Sequence, residues 1–331
     1  MLRLHWPIYL VFSVLFACGG DGTEAIRDST VADTDAGSME VTEDTQVAED
    51  ATDAQDSLVE ADTVASFEVP APTQLGDARP ARVKVPLSYD GQTALPAVIL
   101  LGGYDYLAQD LDDWVRISSE VDGMGLVLLM PDGLIDSDGS PYWNATDTCC
   151  DFFGSGVDDV GYLTALLDAL TSRVNVDPAR IYLLGHSNGG FMAYRMACEV
   201  ADRIAGIVSI AGSGWLSETD CKASEAVSVL QVHGLADDVM PFGGDSDAPG
   251  ALEMTRRWGV RAGCDPSSWA ELPAALELVD DGISDETTVS TFGAGCDPTT
   301  NVTLWAMRGN DHYPEFRERF TREALTWLLA Q

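Results

Sequence analysis

Basic residues are scarce in this chain of 331 residues. It has 18 lysines and arginines against 54 aspartates and glutamates, so the formal net charge is −36. Nucleic-acid binding requires a basic surface that neutralises phosphates, and anionic lipid headgroups attract clusters of Lys and Arg. The charge balance therefore argues against a nucleic-acid partner and against electrostatic binding to a membrane.

Closely spaced metal ligands are also missing. The chain has only four histidines, and none of its seven cysteines has the C-x-x-C spacing. Structural zinc sites draw their ligands from clusters of Cys and His. A zinc site is therefore not expected.

Long apolar runs are absent, since the N-terminal run at residues 7–17 falls short of the about 20 residues of a membrane span. With Arg3 before it, this run predicts a signal peptide over residues 1–17. Residues 15–19 (LFACG) resemble a bacterial lipoprotein box, in which Cys18 would be acylated after cleavage. We expect an extracytoplasmic protein that meets a membrane only through this lipid anchor. Secretion with an unmodified Cys18 is the alternative.

Residues 18–66 have no aromatic side chain. From residue 19 they carry fourteen acidic residues and a single basic one, Arg27. Such a segment cannot bury enough apolar surface to offset the entropy of ordering it. We predict a disordered acidic tether, with a binding tail for cations or a partner as the alternative. The composition becomes globular at Phe67, which predicts a single folded domain over residues 67–331.

Apolar runs alternate with helical patterns along this domain. The runs predict strands at residues 82–88, 96–101, 125–130, 180–184, 204–210, 227–232, 287–292 and 302–306. Apolar residues at helical spacing predict helices at residues 111–121, 160–174, 191–200, 250–261 and 315–329. Strands that alternate with helices form an α/β fold with a mostly parallel, doubly wound sheet.

One Gly-x-Ser-x-Gly pattern occurs, at residues 185–189. It follows a predicted buried strand and precedes a predicted helix, as a nucleophile elbow does. Its glycines allow a sharp turn, and the helix N-terminus favours negative charge at Ser187. The pattern predicts Ser187 as a nucleophile, with an ordinary strand–helix turn as the alternative.

A serine hydroxyl needs a base to remove its proton. Of the four histidines, His312 alone lies in a loop after the last predicted strand, which fits the chain order Ser, acid, His. A surface loop histidine is the alternative. The acid that orients the imidazole is predicted to be Asp237, in the loop after the 227–232 strand. Asp238 and the residues at positions 245 and 247 are the other acids of that loop.

An oxyanion hole requires two backbone N–H donors. Asn188 follows the nucleophile and is expected to supply the first. Tyr104, or failing that Gly103, is expected to supply the second from the loop after the 96–101 strand.

These residues and their neighbours resemble the polyhydroxybutyrate depolymerase-type esterases, a branch of the α/β-hydrolases that includes feruloyl and acetylxylan esterase-like proteins. The resemblance runs from about residue 79 to residue 314 and includes the segments 143–146 (WNAT), 157–163 (VDDVGYL), 176–178 (VDP), 192–195 (MAYR), 201–205 (ADRIA) and 233–237 (HGLAD). It implies an α/β-hydrolase fold, a triad of Ser187, Asp237 and His312, and no metal or organic cofactor. The segment 101–103 (LGG) departs from the usual Leu-His-Gly of the family.

Seven cysteines in an exported chain leave six for disulfides if Cys18 carries the lipid. Fifteen pairings are possible, and the sequence does not choose among them. The adjacency of predicted elements favours the pairs Cys198–Cys221 and Cys264–Cys296, which leaves Cys149 and Cys150 as a vicinal pair.

We therefore expect a serine carboxylic-ester hydrolase whose partner is an ester substrate, either a polyester or a feruloyl or acetyl ester of a polysaccharide. A catalytically inactive surface binding lipoprotein of the same fold and a serine peptidase are the alternatives. Trp143, Tyr104 and Tyr313 could line an aromatic pocket, with buried packing as the other role for Trp143. The strongly acidic domain favours neutral esters over anionic ones.

Overall fold

The computed structural model describes residues 67–331, and these form twelve β-strands and six α-helices. The strands are β1 Gln74–Leu75, β2 Ala81–Lys84, β3 Leu95–Leu101, β4 Val127–Met130, β5 Leu134–Ile135, β6 Pro141–Tyr142, β7 Val176–His186, β8 Gly206–Ile210, β9 Ser228–Gly234, β10 Trp269–Glu271, β11 Thr287–Phe292 and β12 Val302–Met307. The helices are α1 Ala108–Val115, α2 Ile117–Met124, α3 Asp159–Arg173, α4 Asn188–Glu199, α5 Ala251–Arg261 and α6 Glu318–Leu329. The predicted signal peptide, Cys18 lipidation and tether lie outside the described residues.

Ten of these strands form one sheet in the order β1-β2-β4-β3-β7-β8-β9-β12-β11-β10. The six central strands, from β4 to β12, pair in parallel. The outer strands pair antiparallel at both edges. This arrangement confirms the prediction of a mostly parallel, doubly wound sheet.

Helices cover both faces of the sheet, which explains why its central strands are continuously apolar. Successive residues of β3 alternate between two buried clusters. Ile99 and Leu101 pack with α3 and α4 on one face, whereas Val98 and Leu100 pack with α1, α2 and α6 on the other. In the described part of the chain, no helix is long and apolar enough to span a bilayer.

The helix predicted at residues 111–121 is wrong, because α1 and α2 replace it. Arg116 separates them in a left-handed conformation with φ of 58°. Its N–H group donates to the carbonyl oxygen of Asp112, while the Asp112 carboxylate accepts the N–H group of Ser118 at the start of α2. A buried side chain thus satisfies the backbone groups that the break leaves open. β1 and β10, two short edge strands, had no signal in the sequence pattern.

The six cysteines of residues 67–331 form three disulfides, which are the two pairs that adjacency favours and the vicinal pair that remains. They are Cys198–Cys221, Cys264–Cys296 and Cys149–Cys150. The first ties α4 to a neighbouring loop, the second joins the loop after α5 to the loop after β11, and the third joins consecutive residues in a loop beside Ser187.

Candidate active site

Ser187 stands at the sharp turn between β7 and α4. Its φ of 52° and ψ of −121° are unfavourable for a residue with a side chain. A hydrogen bond of 2.8 Å from its N–H group to the carbonyl oxygen of Ile210 holds this turn against β8. The side chain is partly exposed, so the strained backbone presents the hydroxyl at the end of the sheet.

Close backbone packing explains the glycines around Ser187. A Cβ atom on Gly189 would overlap the carbonyl oxygen of Leu101 at the end of β3, and one on Gly185 would overlap the backbone of Gly189. A Cβ atom on Gly190 would lie 2.8 Å from Ser209 Oγ. The turn can therefore approach β3 and β8 only without side chains at these positions.

His312 and Asp237 form a buried hydrogen-bonded pair. His312 Nδ1 lies 2.8 Å from Asp237 Oδ2, and the two side chains are 2% and 0% exposed. They belong to the loops after β12 and β9, which are neighbouring parallel strands. Asp238, the adjacent alternative, is exposed.

Asp237 is held as a carboxylate. Burial acts to raise its pKa, but hydrogen bonds from His233 and His312 and from the Met240 N–H group outweigh burial and hold the pKa well below its usual range. Its Oδ1 atom accepts the N–H groups of Val239 and Met240 at 3.0 and 2.8 Å. An ionised, doubly anchored carboxylate is suited to orient His312.

The second ring nitrogen of His312, Nε2, is buried and has no hydrogen-bond partner among the described residues. No hydrogen bond joins it to Ser187 Oγ in this structure. In free enzymes such contacts are often long and shorten only when substrate binds. The orphaned nitrogen is thus the atom that could accept a proton at this site.

His186, next to the predicted nucleophile, serves as a neutral support. Burial, with His312 nearby, lowers its pKa to about 3. The hydroxyl of Tyr106 bonds to its Nδ1, and its Nε2 bonds the backbone carbonyl oxygen of His312 at 2.8 Å. Nε2 therefore donates to this carbonyl oxygen and fixes the loop that carries His312, and the neutral ring can accept the Tyr106 hydroxyl at Nδ1.

The two segments predicted to supply oxyanion donors lie side by side. Gly189, in the first turn of α4, packs against the backbone of Leu101 and Gly102. Asn188 directly precedes Gly189, and Tyr104 lies two residues after Gly102, so the two predicted donors flank this contact. Tyr104 is partly buried, and its hydroxyl donates to Asp136 Oδ2 at 2.8 Å. Burial and the Asp136 carboxylate raise the pKa of this hydroxyl to about 12.

The Asn188 side chain has a role that the sequence did not reveal. Its Oδ1 accepts the N–H group of Trp143 at 2.7 Å, and its Nδ2 donates to the Trp143 carbonyl oxygen at 2.9 Å and to Cys149 Sγ at 3.4 Å. Trp143 is 1% exposed and donates from its indole to Gly102. Buried packing is therefore the role of Trp143, and the Cys149–Cys150 loop is tied to the helix that begins after Ser187.

Exposed aromatic rings lie next to this loop. Phe152 and Phe153 are 63% and 52% exposed, and the Phe152 ring packs edge-on against Tyr104 with centroids 5.3 Å apart. Tyr313, 56% exposed, packs against His312 on another side. Across residues 67–331, no group of three or more His, Cys, Asp or Glu side chains is arranged to hold a metal ion.

Parts of this chain are similar in sequence to known esterases. Residues 157–255, less than half of the chain, match the phospholipase/carboxylesterase family. NocK of Nocardia uniformis subsp. tsuyamanensis, which bears an esterase name, is 30% identical over 46% of this chain and 43% of its own length. Feruloyl esterase B of Piromyces equi is 27% identical over 55% of this chain and 35% of its own length. The chain thus spans less than half of either relative.

A solved structure supports the fold. The acetyl xylan esterase from Aspergillus awamori superposes with a TM-score of 0.57 and 11% identity, over 78% of this chain and 98% of that one. At this identity the likeness concerns the architecture alone. Together with the parallel sheet order and the turn at Ser187, it shows that residues 67–331 have the α/β-hydrolase fold.

Proposed function

We propose that the chain is a serine carboxylic-ester hydrolase with Ser187 as nucleophile, His312 as general base and Asp237 as the acid that orients it. The observation that carries the proposal is the buried pair of Asp237 and His312, in which Nδ1 is bonded and Nε2 has no partner among the described residues. The strained backbone at Ser187 supports the same assignment.

The chemistry follows from these positions. His312 Nε2 takes the proton of Ser187 Oγ as the oxygen attacks the ester carbonyl carbon, and Asp237 stabilises the resulting imidazolium. The N–H groups of Asn188 and Tyr104 stabilise the oxyanion. The alcohol leaves with the proton from His312, which then activates water to release the acid from Ser187.

For the substrate, we propose the esters on which the polyhydroxybutyrate depolymerase-type branch acts. These are polyesters or the feruloyl or acetyl esters of polysaccharides. The exposed rings of Phe152, Phe153 and Tyr313 around the site support an apolar or aromatic substrate group. We further propose that the protein works outside the cytoplasm, anchored by a lipid on Cys18. Three disulfides support an oxidising compartment.

Turnover of p-nitrophenyl acetate and butyrate tests the reaction. We expect Ser187→Ala to lose on the order of 10³-fold or more in kcat. Equal turnover by the wild-type protein and this variant would overturn the proposal.

Gly102 stands where the family usually has His, which leaves an inactive binding protein of the same fold as the alternative. A fluorophosphonate probe distinguishes this alternative from an enzyme. The probe should label the wild-type protein at Ser187 and spare Ser187→Ala. Cleavage of peptides in the absence of ester turnover would point to a peptidase instead.

A further inference from the structure

A chain of buried hydrogen bonds leads from α4 to Asp237. Tyr194 Oη donates to Gln231 Oε1 at 2.8 Å. Gln231 Nε2 faces the carbonyl oxygen of Gly212 at 2.9 Å and His233 Nδ1 at 3.0 Å. The side chains of Tyr194, Gln231 and His233 are at most 2% exposed, so water does not compete for these bonds.

The chain determines the tautomer of His233. A backbone carbonyl oxygen can only accept, so the Gln231 atom that faces Gly212 must be its amide nitrogen. That nitrogen also faces His233 Nδ1, which must therefore be the unprotonated acceptor. The neutral His233 ring consequently carries its proton on Nε2.

The protonated nitrogen of His233 donates to the Met240 carbonyl oxygen and lies close to Asp237. His233 Nε2 lies 2.7 Å from the carbonyl oxygen of Met240 and 3.3 Å from Asp237 Oδ2. The same Oδ2 atom bonds His312 Nδ1. One carboxylate oxygen thus lies between two imidazoles, and the sequence places His233 only four residues before Asp237.

We propose that His233 is a positioning residue for the Asp237–His312 pair and that Gln231 sets the tautomer this requires. The inference rests on the proposed function. The Nε2–H group of His233 fixes the Met240 backbone, whose own N–H group binds Asp237 Oδ1, and it lies 3.3 Å from Asp237 Oδ2, where its dipole stabilises the carboxylate charge.

Other titratable groups face the pair and must be separated from His233. His186 on β7 lies with its ring centroid 4.7 Å from that of His312, and Tyr313 packs edge-on against His312 at 4.9 Å. Asp311 precedes His312 and accepts the Tyr313 N–H group. The His233 variants below keep all of these residues, so a difference between those variants reports on His233.

Kinetics over pH test the inference. His233→Leu removes the N–H group that holds the Met240 backbone and lies beside Asp237 Oδ2, so the carboxylate is less well stabilised and attracts an imidazolium at His312 more strongly. We expect kcat to fall by about tenfold or more, KM to change little, and the acid limb of kcat/KM to move to higher pH. His233→Gln, whose amide can reach the position of Nε2, should recover most of the rate and the original limb.

Thr255→Val is the matched control for lost stability. Its buried hydroxyl donates to Ala251 on α5, away from the pair. The melting temperature of each variant is measured alongside its kinetics. If His233→Leu melts lower, as Thr255→Val should, but keeps its kcat and acid limb, His233 is structural only and the inference fails while the esterase proposal stands.

Nitrogen-15 NMR of histidine-labelled Ser187→Ala protein tests the tautomer without turnover. We expect His233 to be protonated on Nε2 in this protein and to lose that preference in Gln231→Leu. A proton on Nδ1, or a tautomer unaffected by Gln231→Leu, would overturn the inference even if the protein proved to hydrolyse no ester.

Discussion

Asp237 and His312 stand 75 residues apart in the sequence and are joined by a hydrogen bond of 2.8 Å. Their loops follow β9 and β12, which pair in parallel, so the carboxyl ends of both strands deliver the two side chains to one edge of the sheet. The turn at Ser187 ends β7, only two strands further along.

Replacing the acid by its amide tests this pair. Asp237→Asn should lower kcat for p-nitrophenyl butyrate by about 10⁴-fold, because an amide favours the wrong tautomer of the base. Asp238→Asn, which changes the exposed neighbour, should retain the rate. A loss below tenfold in the first variant would contradict the role of Asp237.

Close packing at the turn around Ser187 predicts that replacing two helical glycines by alanine will have different effects on the melting temperature. Gly189→Ala should lower both the melting temperature and the yield of active protein, because its Cβ atom would overlap the Leu101 carbonyl oxygen. Gly123→Ala in α2 meets only the end of the Glu120 side chain, at 3.9 Å. It should be neutral or stabilising by up to about 1 kcal/mol. Equal melting temperatures for the two variants would argue against the contact.

The neutral state of His186 predicts a pH dependence of stability. Its pKa is about 3 in the folded protein and about 6.5 in an unfolded chain. Between these values the unfolded state binds more protons, so the free energy of unfolding should fall as the pH is lowered from about 6.5 toward 3. In His186→Phe this fall should be shallower in urea unfolding experiments. Parallel curves for the two proteins would show that His186 does not contribute.

The disulfides should differ in what they stabilise. Cys198–Cys221 spans 23 residues, so the double replacement by Ala should cost about 3 kcal/mol of unfolding free energy. Cys149–Cys150 closes almost no loop, and its replacement should cost less while lowering kcat through the contact with Asn188. Denaturant unfolding and ester assays measure the two effects. An unchanged kcat in Cys149→Ala/Cys150→Ala would show that this loop does not influence the reaction.

The acidity of the domain predicts a preference among substrates. Residues 67–331 carry a net charge of −24, which should reduce kcat/KM for esters of anionic acids relative to matched neutral esters. Added salt should narrow the difference, because it screens the field. A preference for the anionic ester at low salt would contradict this prediction.

Local patterns were enough to predict the parallel sheet. Strands such as β3 and β4 are buried on both faces, so their residues must be continuously apolar, and this signal is readable without knowing any partner. The turn at Ser187 was equally readable, since the glycines that permit close packing are themselves part of the motif. The break at Arg116 was not, because a buried Asp112 carboxylate compensates for it across the turn.

The sequence by itself determined which residue types the site could use, since the four histidines and one Gly-x-Ser-x-Gly pattern left few choices. Only the tertiary structure decided which of these side chains are buried and which hydrogen bonds they make. Asp237 differs from Asp238 because burial and three kinds of donor surround it, and no local pattern encodes that. The hydrogen bonds of Tyr194 with Gln231 and of Asn188 with Cys149 join segments that are distant in the sequence, so they became visible only once the strands were ordered in space.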